Sequence, residues 1–142
     1  MSFCDEIRSM LPELRACDAA RMAPLTLAYI GDTVYDLYVR TLLLHRCDAT
    51  VHNLHLKAAG MVRASAQAQA SSRLQPLFTD EEAAVYRRGR NAHMGTVPRN
   101  ASIADYRAAT GLEAVLGFLF LSGEDTRIRE LMTTALLHTE GA

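Results

Sequence analysis

Lysine is almost missing from this chain of 142 residues: Lys57 is the only one, and every other side chain in the lysine-plus-arginine total of 15 is arginine. A GC-rich genome favours arginine codons and would account for that ratio. It would not account for where the arginines cluster. Cysteine is scarce as well. Cys4, Cys17 and Cys47 are odd in number and fit no zinc or redox spacing, so a disulfide framework and a structural zinc site are both excluded. Reduced thiols in the cytoplasm are the expectation. No apolar stretch is long and charge-free enough to span a bilayer. The first residues are acidic at Asp5 and Glu6, unlike a secretory signal. A glycine-rich phosphate loop, a repeat, a low-complexity linker and a convincing strand pattern are all lacking.

The remaining pattern is helical, and the chain is long enough for one domain with a real core over residues 1–142, with 1–20 as an N-terminal extension of unassigned role. Residues 3–15 read as a short amphipathic helix stopped near Pro12. Pro24 suits the first turn of a long helix running to about Leu44. Thr50 can cap a helix over 51–59; Gly60 should loosen it before Met61–Leu74 continues. Thr79 with Glu82 forms a capping box for a helix through about Arg88, and Ser102 with Asp105 forms another for a helix to about Leu121. Residues 89–101 carry Gly89, Asn91, Gly95, Pro98 and Asn100 and read as loop. Ser122-Gly123 breaks the chain before a last amphipathic helix over 124–138. The fold class is therefore all-α.

Two carboxylates stand out against this background. Asp32 lies in the run Leu25-Thr26-Leu27-Ala28-Tyr29-Ile30-Gly31-Asp32-Thr33-Val34-Tyr35, and Glu113 in Gly111-Leu112-Glu113-Ala114-Val115-Leu116-Gly117. Both runs are otherwise apolar, so both acids are expected to be buried. An ionised carboxylate buried alone is too costly for a small domain, so each must be paired, protonated or bound to a metal. On a helical wheel Leu27, Ile30, Val34, Leu37 and Tyr38 form one broad apolar face, with Asp32 on another beside Ala28 and Asp36. Asp36 has Arg40 four residues on, the spacing of a helical ion pair, and reads as structural. Neither Asp32 nor Glu113 has a base at such spacing. A tertiary arginine or a shared metal ion could each satisfy them. Gly31 and Gly117 would allow the two helices to approach closely.

The arginines gather elsewhere. Residues 85–107 hold Arg87, Arg88, Arg90, Arg99 and Arg107 against Asp105 alone, a segment of +4 in a chain of net −1, leaving −5 for the remainder. Arginine forks suit bidentate phosphate contacts. A solvated loop pairing with Asp80, Glu81 or Glu82 is the plainer reading. His52 and His55, at i and i+3, could bind metal but suit a surface or phosphate contact better. No Ser-His or Cys-His arrangement competes. Mg²⁺ needs only one or two carboxylates, keeps its waters, and activates water against a phosphodiester. Two acids and a basic loop thus point to metal-assisted cleavage of a nucleic acid.

The segment Leu27–Tyr35 resembles the signature helix of the ribonuclease III catalytic domain. Arg88-Gly89-Arg90-Asn91-Ala92, Gly95-Thr96-Val97-Pro98-Arg99-Asn100, Tyr106–Ala114 and the stretch from Lys57 through Ser65-Ala66-Gln67-Ala68-Gln69-Ala70 extend the resemblance from about Pro24 to Leu121. It is closer to Mini-ribonuclease III, the small bacterial form without a separate RNA-binding domain. The resemblance implies a helical bundle that forms a homodimer and cleaves double-stranded RNA with Mg²⁺, or Mn²⁺ in its place. It implies a role in maturing the large-subunit ribosomal RNA precursor in the cytoplasm, away from membranes. Asp32 and Glu113 match the family's catalytic and metal-binding acids. Arg88, Arg90, Asn91, Arg99 and Asn100 are the expected RNA contacts. Full-length ribonuclease III carries acids where Ala28 and Thr110 stand here, and Mini-ribonuclease III is reduced in the same way. His93 replaces a lysine common in that group. The alternative is a non-catalytic double-stranded RNA-binding dimer acting in ribosome assembly. A helical nucleotide phosphohydrolase would need a His-Asp motif that this chain lacks.

Overall fold

The computed structural model describes residues 1–10, 13, 18–46, 50–92 and 102–137, and the regular elements among them are all helical. In chain order they are α1 (Phe3–Ser9), α2 (Pro24–Arg46), α3 (Val51–Val62), α4 (Ala64–Leu74), α5 (Asp80–Arg90), α6 (Ile103–Leu121) and α7 (Asp125–Leu136), with short 3₁₀ turns at Ala19–Arg21 and Gln75–Leu77.

Helix α6 is the axis of the bundle. It is apolar on every side, and such a helix belongs inside. From Ala109 to Phe120 every residue is buried except Glu113. Its main neighbours are α2, α5 and α4, with α7 closing the far end. Glycine sets how near those neighbours come. A Cβ at Gly31 would collide with the Glu113 carbonyl oxygen, and one at Gly117 with the Leu27 carbonyl. The crossing of α2 and α6 is thus backbone against backbone at two reciprocal points. Gly89 on α5 repeats the device: its Cβ would stand 2.9 Å from the Gly111 Cα.

The caps behave as their residue types dictate. Thr79 and Glu82 form a full capping box, as do Ser2 and Asp5. The Ser102 hydroxyl accepts from the Asp105 amide at 3.3 Å. Gly123, at φ +78°, takes the left-handed turn after α6 that L side chains resist. Arg8, almost fully buried, donates to both carboxylate oxygens of Asp125 and to the Phe120 carbonyl, fixing α1 to the α6–α7 junction.

Four expectations change. First, α1 ends at Ser9, and Pro12 lies outside the described residues. Second, the break after α3 falls at Arg63 and not at Gly60. Arg63 is extended (φ −66°, ψ 160°), and the freed carbonyls of the last turn find side-chain donors: Gln67 Nε2 at 2.8 Å from Val62 and Arg63 Nε at 3.1 Å from Gly60. Third, α5 extends to Arg90, because Gly89 is needed inside a helix to pass α6. Fourth, the buried stripe of α2 is Leu27, Gly31, Tyr35, Val39 and Leu43. Leu37, which the wheel placed on the core face, is exposed, as are Leu25 and Tyr29. Hydrophobicity could not reveal that Gly31 makes the tightest contact of the helix.

Candidate active site

The α2–α6 crossing also positions the two acids. Gly31 lies against the Glu113 carbonyl, so the next residue, Asp32, projects beside the Glu113 side chain. Both line one open cleft of about 590 Å³, together with Ala28, Tyr29, Gln67, Tyr106 and Thr110. The cleft is a product of local sequence: glycine removes the spacer between two helices, and a carboxylate follows on each.

The acids are not equally enclosed. Asp32 is exposed at the cleft mouth and Glu113 half-buried in its wall, so the expectation of two buried carboxylates fails for Asp32. The apolar run around Asp32 reflects a bare face of α2, not burial. Glu113 is strongly perturbed. Burial first, then hydrogen bonding to Asp32 and the charge of Asp32, push its carboxyl up to about 8, while Gln67 pulls the other way. In the protein alone, Glu113 therefore keeps its proton near neutral pH and shares a hydrogen bond with Asp32. Among the described residues neither acid forms an ion pair. The donor set is two carboxylates held together without an organic cation, which fits a divalent ion. No group of three or more His, Cys, Asp or Glu that could hold a metal occurs among the described residues, so water and substrate oxygens would complete the coordination.

Asp36, one turn beyond Asp32, accepts from Arg40 Nε at 2.9 Å, the helical pair read from spacing. Ala28 and Thr110 are buried in the cleft wall; the Thr110 hydroxyl donates to the Tyr106 carbonyl at 3.0 Å. His52 and His55 are exposed on α3. Gln67 is the residue that the acid-centred reading overlooked. It is buried, and its Nε2 donates to Glu113 Oε2 at 3.2 Å. A signal existed: Gln67 stands in register with Ala70, Ser71 and Leu74, the buried stripe of α4.

The basic segment begins on α5. That helix is acidic at its start, with Asp80, Glu81 and Glu82, and basic in its last turn, with Arg87, Arg88 and Arg90, matching the helix dipole at both ends. Arg88 is exposed, yet its guanidinium donates to the carbonyls of Ala20 at 2.9 Å and Met22 at 2.8 Å. Arg90 stacks over the Tyr86 ring at 5.8 Å, and exposed Asn91 ends the helix. Arg99, Asn100 and His93 lie outside the described residues. Glu82, a proposed partner of these arginines, is taken instead by Arg127, whose Nε and Nη2 reach its two oxygens at 2.9 Å each.

Comparison with known proteins agrees with the motif resemblance. The model of the ribonuclease III domain family matches residues 25–124. Mini-ribonuclease 3 of Clostridium tetani is 45% identical over 116 residues, covering 81% of this chain and 77% of that protein. Mini-ribonuclease 3 of Symbiobacterium thermophilum is 42% identical over 122 residues, covering 86% and 94%. A crystal structure of a protein from Fusobacterium nucleatum superposes with a TM-score of 0.76 at 23% identity over 83% of this chain and 94% of that one, which supports the fold. With a family match over residues 25–124 and relatives above 40% identity across most of the chain, the chain belongs to the ribonuclease III domain family, in its Mini-ribonuclease 3 group.

Proposed function

We propose that this ribonuclease III-type endoribonuclease cuts double-stranded RNA with Mg²⁺, and that its substrate in the cytoplasm is the precursor of large-subunit ribosomal RNA. The observation that carries the reading is the meeting of Asp32 and Glu113 in one cleft with no cationic side chain of the described residues between them. Two carboxyls so close are stable only with a proton or a cation shared. Asp32 and Glu113 would hold the ion. When bound, a divalent cation lowers the pKa of water, offsets phosphodiester charge and steadies the leaving oxygen. Mn²⁺ offers the same oxygen-ligand chemistry.

The chain's own groups do the remaining work. Glu113 must release its proton to bind the ion, so binding strengthens as pH rises. Arg90, Asn91, Arg99 and Asn100 would contact RNA phosphates, with Arg88 beside them. The hydrogen bonds of Arg88 to Ala20 and Met22 hold that guanidinium in place before RNA arrives, reducing the ordering cost. A duplex is recognised chiefly through shape, phosphates and 2′-hydroxyls, which suits such a set.

The exposed apolar face of α2, with Leu25, Tyr29 and Leu37, supports a homodimer around a two-fold axis. Helix α6 contributes no such face from Ala109 to Phe120, where its apolar residues are already buried. No helix among the described residues is long and apolar enough to cross a membrane.

The test is direct. Purified protein incubated with duplex RNA and Mg²⁺ should cut it, and chelation should stop the reaction. Asp32→Asn and Glu113→Gln should abolish cutting while preserving the helical circular dichroism. Undiminished cutting by either variant would refute the assignment. Binding of duplex RNA without metal-dependent cutting would instead favour the non-catalytic dimer.

A further inference from the structure

Gln67 contributes the most unusual polar contact of the cleft. It is only 3% exposed. Its Nε2 donates twice, to the Val62 carbonyl at 2.8 Å and to Glu113 Oε2 at 3.2 Å. The Val62 carbonyl can only accept, so the amide cannot be turned over: the opposite orientation would set Oε1 against that oxygen. The orientation carries a cost. Oε1 is buried and has no partner among the described residues, and buried carbonyl oxygens are rarely left so. An arrangement that leaves an acceptor unsatisfied in order to keep two donor contacts calls for an explanation in function.

The Val62 contact explains the rigidity. Val62 ends α3, where Arg63 turns extended and releases the last carbonyls from the helical ladder. Gln67 opens no turn itself; it sits one turn into α4, and its backbone amide bonds the Arg63 carbonyl at 3.1 Å. Its side chain thus ties the α3–α4 break to a carboxylate on the central helix. That contact engages Oε2 of the carboxylate.

We infer that Gln67 is a positioning residue for the ion site: its amide, anchored at the α3–α4 break, fixes the rotamer of Glu113 and presents one carboxylate oxygen toward Asp32. This rests on the proposed metal role of Asp32 and Glu113. Outer groups that orient a metal-binding carboxylate typically contribute about 10–100-fold in affinity or activity.

The test uses Gln67→Met, which keeps length and volume but has no donor, and Gln67→Glu, which keeps the shape and replaces the amide donor by a carboxyl. Ser71→Ala serves as the structural comparison. The Ser71 hydroxyl is fully buried on the same helix and donates to the Gln67 carbonyl at 2.9 Å, outside the ion site. Mn²⁺ binding to the full-length protein without RNA is read by electron paramagnetic resonance, and cleavage of duplex RNA by kcat and KM. Gln67→Met should bind Mn²⁺ at least about tenfold more weakly and lose kcat by about 10–100-fold with KM for RNA unchanged. Ser71→Ala should melt earlier yet bind Mn²⁺ as the natural protein does. Should Gln67→Met fail to fold, the same measurements on Gln67→Glu decide: an altered Mn²⁺ affinity supports the inference and an unaltered one overturns it. Wild-type Mn²⁺ affinity and kcat in Gln67→Met would overturn the inference alone, as would an equal loss of affinity in Ser71→Ala. A natural protein that neither binds Mn²⁺ nor cuts duplex RNA would overturn the functional reading beneath it.

Discussion

Glu82 and Glu113 are the same residue type, both on helices that face the core, and they are handled in opposite ways. Burial would raise the Glu82 carboxyl, but Arg127 and the Thr79 capping contacts outweigh it and hold that carboxyl below the usual glutamate range. Its two oxygens receive Arg127 and the Thr79 amide, and Arg127 also donates to the Leu77 carbonyl at 2.7 Å. Glu113 meets burial, a second carboxyl and one amide, and rises to about 8. One site is complete within the protein. The other is complete only with a proton or a cation from outside. The contrast separates a carboxylate that holds the fold from one available for chemistry.

Substitutions at the two sites should therefore diverge. The largest effect is expected for Glu113→Gln and Asp32→Asn: cleavage of duplex RNA falls by at least about 10³-fold, roughly 4 kcal/mol of barrier, in a single-turnover assay. Thermal stability should be kept, because an uncharged amide stands in for the protonated carboxyl that the pair already holds near neutral pH.

Arg127→Ala should do the reverse. It strands a buried carboxylate, and breaking such a pair costs about 3–5 kcal/mol, visible in urea unfolding with little change in kcat for the folded fraction. If Arg127→Ala proved as harmless to stability as Glu113→Gln, the distinction between the two glutamates would collapse.

Gly31→Ala probes the crossing that creates the cleft. Its Cβ would strike the Glu113 carbonyl, so α2 and α6 must separate. A loss of about 3 kcal/mol is expected from overpacking, with cleavage reduced in the folded fraction because Asp32 moves from Glu113.

The last effect is one of pH. Glu113 binds its proton more tightly in the folded chain, at about 8, than its ordinary value of 4.5. Between those two values the folded state holds the extra proton, so stability of the metal-free protein falls as pH rises across that window. Melting temperatures measured from pH 5 to pH 9 should show this decline. The decline should flatten in Glu113→Gln and weaken when Mg²⁺ is added. A Glu113→Gln profile parallel to the natural one would place the titration elsewhere.

Much of the helix pattern was readable beforehand, for identifiable reasons. Pro24, Thr50, Thr79, Ser102 and Gly123 are residues whose backbone or side chain dictates a boundary, and α2, α3, α5, α6 and α7 begin or end where these residues indicate. The helix runs on through Gly60 because glycine weakens a helix only when nothing else holds it, and the freed carbonyls before the break at Arg63 are met by side chains of Tyr35, Arg63 and Gln67. The exposure of Asp32 is not legible in the sequence, because an apolar surrounding sequence does not distinguish a covered face from a bare one. The partners of Arg88 and Glu82 were invisible, being Ala20, Met22 and Arg127, far away along the chain.

Chain chemistry alone dictated where most helices start and that Asp32 and Glu113 have no local counter-charge, since caps and i to i+4 spacing act within a few residues; that α6, and not α2, lies at the centre was decided by folding. Folding settled the pairing of those acids, the burial of Gln67 against Glu113 and the division of labour among arginines. These depend on glycine-mediated contact between helices some eighty positions apart in sequence, a separation at which packing, and not propensity, selects the neighbour.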